Sequence, residues 1–77
     1  MKKYMKIPEL FKWAATHNFS IKISNTDGSI VAEIDDVKGI IDNAELYCSF
    51  DEHDIFEETL AGILSDLYKE REEITDN

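Results

Sequence analysis

The chain has 77 residues, of which eight are basic and seventeen acidic, for a formal net charge of −9, and 43% of its residues are hydrophobic. Such a length fits one domain, here residues 1–77 with a basic arm at 1–6 and a frayed tail at 74–77, and leaves no room for a deep enclosed active site. Apolar residues spread along the whole sequence argue against disorder, a single cysteine, Cys48, excludes an internal disulfide framework, and no run approaches the ~20 apolar residues of a membrane span.

The first six residues, Met1 to Lys6, have the charge of a signal-peptide start, but Glu9, Lys12 and His17 interrupt what would have to be its apolar segment. A cytoplasmic location is the expectation. Pro8 suits the first turn of a helix, where its missing N–H costs nothing. Ile7, Leu10, Phe11, Ala14 and Ala15 recur at spacings of three and four, so residues 8–17 read as an amphipathic helix. His17-Asn18 ends it, since asparagine tolerates left-handed backbone geometry.

The period then changes from helical to alternating. Phe19, Ile21 and Ile23 alternate with Ser20, Lys22 and Ser24, which describes a half-buried strand. Asn25 to Ser29 is a hairpin loop in which Gly28 can take positive φ. Ile30, Ala32 and Ile34 alternate with Val31, Glu33 and Asp35 in a second strand. Residues 36–43 read as a turn region around Gly39, with Ile40-Ile41 also compatible with a strand. Ala44 to Phe50 is the third strand, with Leu46, Cys48 and Phe50 on one face and Glu45, Tyr47 and Ser49 on the other.

Ser49-Phe50-Asp51-Glu52 fits a capping box, and Asp51, Glu52 and Asp54 place negative charge at a helix start. Phe56, Leu60, Ile63, Leu64 and Leu67 form the apolar stripe of a helix that should run to about Glu73. The fold class is therefore α+β in the order α-β-β-β-α: a three-stranded antiparallel meander with two helices packed on one face. The inner layer should hold Phe19, Ile21, Ile23, Ile34, Leu46, Cys48 and Phe50. The outer sheet face should show Lys22, Val31, Glu33, Glu45 and Tyr47.

Catalytic chemistry finds little support. A reactive centre needs a nucleophile or an acid/base pair converging in a cleft. Cys48 falls on the inward register of a strand, as a buried structural thiol does. His17 reads as part of a helix end. His53 and Glu57 lie one turn apart and could both face a divalent cation, but two ligands on one helix do not make a site. The three glycines, 28, 39 and 62, are too scattered for a phosphate loop. We expect a protein that is not an enzyme and uses no metal or other cofactor.

Charge is the more informative feature. Residues 1–22 carry five lysines and one acid, a net of +4, while residues 23–77 carry three basic and sixteen acidic residues, a net of −13. An acidic surface repels nucleic acid and attracts basic partners, although solubility alone also explains an acidic composition. The expected partner-binding residues are Glu33, Asp35, Asp36, Glu45, Tyr47, Asp51, Asp54 and Glu58. Their carboxylates should repeat across one side of a rigid scaffold, with Tyr47, Ile55 and Tyr68 as aromatic or apolar contacts. The expected partner is a protein with a basic, nucleic-acid-binding surface, with no direct contact to nucleic acid or membrane. The alternative is a homodimeric structural, assembly or accessory module. It would act through a sheet edge or an outer helix face, where Ala61, Gly62 and Ser65 offer small side chains.

The segment Asn18 to Gly28 (NFSIKISNTDG), preceded by a short helix and followed by an acidic β-β-α unit, resembles small phage-encoded anti-CRISPR proteins of Gram-positive hosts. The resemblance covers the element order over most of the chain and about a dozen residues in detail. It implies an inhibitor, encoded by a phage or mobile element, that mimics DNA and blocks the site where an RNA-guided nuclease reads its short duplex motif. The lysine-rich first 22 residues depart from that pattern.

Overall fold

The computed structural model describes residues 6–75, and for residues 52–54 the backbone alone. The basic arm before Lys6, the last two residues, and the side chains of Glu52, His53 and Asp54 lie outside the described residues. Five main elements follow the expected order: α1 (Ile7–Thr16), β1 (Phe19–Thr26), β2 (Ser29–Asp36), β3 (Ala44–Ser49) and α2 (Phe56–Thr75), with a 3-10 helix over Phe50–Ile55 before α2.

In α1, Glu9 Oε1 accepts the Lys6 N–H at 2.8 Å, so one of the amides at the helix start has a partner. Leu10 and Ala14 are buried, and Ile7 and Trp13 pack beside them. Phe11 and Ala15, expected on the inward stripe, are exposed, so the buried face is rotated toward Trp13. The helix ends as its residue types suggest. The Trp13 carbonyl accepts both the His17 N–H, at 3.0 Å, and the His17 ring Nδ1, at 2.8 Å. Asn18 then adopts φ +64°, a left-handed conformation that asparagine takes at lower cost than most residues.

The sheet has strand order β1-β2-β3, antiparallel throughout. The β1–β2 turn is only Asp27-Gly28, tighter than the five-residue loop expected, because Thr26 and Ser29 already pair. Gly28 takes φ +80° there, which glycine adopts without the steric penalty of a Cβ. Residues 37–43, Ile40-Ile41 among them, form a loop rather than strand.

Both helices lie on the sheet face that carries Phe19, Ile21, Ile23, Ile30, Ala32, Ile34, Leu46 and Cys48. Phe50 does not belong to that layer. It starts the 3-10 helix and is 47% exposed, its N–H bonded at 3.1 Å to the Gly28 carbonyl. The 3-10 segment carries the chain over the hairpin end of the sheet, and α2 starts later than expected, at Phe56. It then continues past Glu73 to Thr75. Phe56, Leu60 and Leu64 are its buried apolar stripe. Ala61, expected outward, packs against the core, while Gly62 and Ser65 are exposed.

The helices run side by side in the same direction. At their start, Glu57 Oε2 accepts the Ile7 N–H at 3.1 Å. Further along, the Tyr68 ring meets Trp13 edge-on at 5.8 Å and His17 at 4.9 Å between centroids. The Trp13 and His17 rings stack at 4.1 Å. Among the described residues, no helix is long and apolar enough to cross a membrane.

Candidate functional site

Strand parity sorts the expected residues. Successive side chains alternate between faces, and the helices occupy the face of the even-numbered β2 residues. Glu33, Asp35, Glu45 and Tyr47 therefore stand on the outer face. The register places Lys22, Glu33 and Glu45 side by side in one row, and Ser24, Val31 and Tyr47 in the next; Asp35 lies opposite Ser20. Asp35 and Glu45 are exposed and Glu33 is half-buried. Tyr47 is 63% exposed, whereas Val31 beside it on the central strand is buried. Glu33 and Glu45 are thus like charges directly opposite each other, an arrangement that destabilises a sheet.

Asp36 does not join them, and its place among the partner-binding residues is corrected here. As the next residue after Asp35 it points inward, and its side chain is 1% exposed. Its Oδ1 lies 2.6 Å from Arg71 Nη1, and the Arg71 side chain is 3% exposed. The same oxygen accepts the Lys38 N–H at 3.0 Å, and Oδ2 accepts those of Ile40 and Ile41 at 2.8 and 3.1 Å. Burial pushes this carboxyl up, but the N–H donors of Ile41, Arg71, Ile40 and Lys38 together outweigh it and hold its pKa below the usual value.

Arg71 binds more than Asp36. Nη1 donates to the Asn18 carbonyl at 3.3 Å, Nη2 donates to the His17 carbonyl, and the guanidinium carbon sits 4.2 Å from the Phe19 ring centroid. One side chain thereby joins α2, the α1–β1 turn and the end of β2. The signal for it is present in the sequence. Arg71 is the only arginine beside seven lysines, and it falls seven residues after Leu64, on the core stripe. Arginine suits such a place because its planar guanidinium satisfies several acceptors at once and is weakly hydrated.

The remaining carboxylates separate from the outer face. Asp51 is exposed on the 3-10 helix at the hairpin end. Six residues of β2, about 20 Å at strand rise, lie between that end and Asp35. Asp54 belongs to the same 3-10 backbone, and its side chain lies outside the described residues. Glu58 is half-buried in the first turn of α2, in the helical layer. Eight expected residues thus reduce to a contiguous group of four: Glu33, Asp35, Glu45 and Tyr47. Of the other expected contacts, Ile55 is 44% exposed at the hairpin end, and Tyr68 belongs to the aromatic group between the helices.

Cys48 is buried in the core, as its register indicates. Among the described residues, no group of three or more His, Cys, Asp or Glu side chains could hold a metal ion. A shallow cleft of about 330 Å³ runs along α1, lined by Glu9, Lys12, Trp13, Thr16 and His17. Glu9, Thr16 and His17 already bond the helix backbone, so the cleft offers no convergent polar chemistry. No protein-family model, curated protein or solved structure matches the chain.

Proposed function

We propose that this is a non-enzymatic acidic binding protein whose outer sheet face meets a basic surface on another protein. The finer reading is a phage or mobile-element inhibitor that mimics DNA and occupies the duplex-reading site of a nucleic-acid-binding protein such as an RNA-guided nuclease. The observation that carries the proposal is the Glu33–Glu45 cross-strand pair, with Asp35 on the same face and exposed Tyr47 in the adjacent row. Lys22, opposite Glu33 on the other side, offsets one of the two glutamates, but Glu45 on the edge strand faces only a like charge, which costs stability in that position. A lysine- or arginine-bearing partner gives a reason for it, and Tyr47 adds a flat ring on which a guanidinium can stack.

The test is competition. The protein is titrated into an RNA-loaded nuclease with labelled duplex carrying its recognition motif, at low and moderate salt. The finer reading expects displacement of the duplex that weakens as salt rises, and loss of displacement in Glu33→Gln/Asp35→Asn/Glu45→Gln. Displacement unaffected by that triple change would count against the acidic face. Failure to displace duplex from any such enzyme would remove the DNA-mimic reading and leave the broader one.

A second reading, self-association as a structural or assembly module, draws on β1 and β3. Each has a strand neighbour on one side only among the described residues, and open edges invite pairing. Sedimentation at micromolar concentration separates the two readings: a tight dimer favours the second, and a monomer favours the first.

A further inference from the structure

Burying Asp36 against Arg71 removes two charges from water, and apolar side chains of similar volume often serve stability as well or better. An apolar pair could not, however, accept backbone N–H groups. Every amide from residue 37 to 41 has a partner. Val37 N–H donates to the Asn18 carbonyl at 3.0 Å, and Gly39 N–H to the Asp36 carbonyl at 2.9 Å. Those of Lys38, Ile40 and Ile41 donate to the Asp36 carboxylate. Asp36 thus holds four of the five, and Arg71 holds Asp36.

Ile41 on this tightly bonded backbone packs against the core, while Val37 and Ile40 turn outward. Val37 is 65% and Ile40 36% exposed. Single exposed apolar residues are common on any surface. Here they stand on a segment whose backbone is ordered before any partner arrives, and such preorganisation lowers the entropic cost of binding. The surroundings indicate what covers them. Exposed Asp35, Asp42 and Glu45 border the loop against a single lysine, Lys38, and in the next row of the sheet Glu33 lies between Glu45 and Lys22.

We propose that the loop from Val37 to Ile41 is a preformed docking knob, which seats Val37 and Ile40 in an apolar pocket rimmed by lysine or arginine on the partner protein. The inference rests on the acidic-face reading and extends its footprint from the sheet onto the loop. Asp36 and Arg71 serve as positioning residues.

Two peptides with equal numbers of lysines serve as probes: oligolysine and an alternating leucine-lysine peptide. Each is titrated into the full chain while backbone amide shifts are followed by NMR. The leucine-lysine peptide should bind about tenfold more tightly, a difference of ~1.4 kcal/mol, and should shift residues 37–41 together with Glu33, Asp35 and Glu45. The Val37→Ser/Ile40→Ser variant should lose that advantage and keep its affinity for oligolysine. Equal affinities, or an advantage that survives the double substitution, overturn the knob and leave the acidic face standing. If neither peptide binds, both readings fall. Hydrogen exchange without any peptide tests preorganisation separately. The Lys38, Ile40 and Ile41 amides should exchange as slowly as strand amides, and exchange at the rate of an open loop would overturn the claim.

Discussion

The two ends of the sheet are closed by different means. At the hairpin end the backbone does the work. Thr26 and Ser29 pair, Asp27-Gly28 reverses the chain in two residues, and the Phe50 amide bonds the Gly28 carbonyl. At the opposite end a seven-residue loop connects β2 to β3, and side chains substitute for the missing ladder. Arg71 from α2 and Asp36 from β2 bind the loop amides, the α1–β1 turn and each other. A closure made by the backbone depends on one glycine and is local. The closure made by the ion pair and the other bonds of Arg71 joins segments 35 to 54 residues apart in sequence, and it should fail as a unit.

The largest expected effect comes from breaking that unit. Arg71→Met should cost about 3–5 kcal/mol, because it leaves a buried carboxylate without its cation. That is a large share of the roughly 5–15 kcal/mol typical of a folded domain. Urea unfolding measures it, and a loss below ~1 kcal/mol would mean that the clamp contributes no more than a surface pair.

Acid should act on the same end. The folded-state pKa of Asp36 lies below that of an ordinary aspartate. Its contribution is therefore complete above the ordinary value and is lost as pH falls through the folded-state pKa. Melting temperature should drop on acidification below about pH 4, and the part of that drop due to Asp36 should vanish in Asp36→Asn.

The hairpin end should respond less. Gly28→Ala forces a Cβ into left-handed geometry at φ +80°, at about 1–2 kcal/mol, and should leave the loop amides at 38–41 as protected as before. Weakened protection there would show that the two ends are coupled. The smallest change should have the opposite sign. Glu45→Thr removes a like-charge pair and adds a β-branched residue, so it should raise stability by ~0.2–1 kcal/mol. The same variant should bind a basic partner more weakly. A gain in both properties would remove the functional reason for the glutamate pair.

The elements of this fold could be read from periodicity because each rests on a local signal. Alternation of Phe19, Ile21 and Ile23 marks a strand, and the spacing of Phe56, Leu60 and Leu64 marks a helix. The outer face followed from the same parity, which places Glu33, Glu45 and Tyr47 together. Asp36 failed for a reason parity itself contains: beside Asp35, it had to point the other way. The Asp36–Arg71 pair was harder to foresee, since it spans 35 residues and no local pattern connects its members. The late start of α2 reflects a tertiary demand, the need to turn the chain over the hairpin end, which the capping-box pattern of Ser49 to Glu52 could not reveal.

The parallel course of α1 and α2 has an electrostatic consequence. Both helices direct their carbonyl ends toward the loop between β2 and β3, and neither carries a basic residue in its last turn. Each helix macrodipole places about half a negative charge at its C-terminus. The potential at that end is thus more negative than its side chains alone would make it. This adds to the attraction that Asp35, Asp42 and Glu45 exert on a positively charged molecule approaching the clamped end.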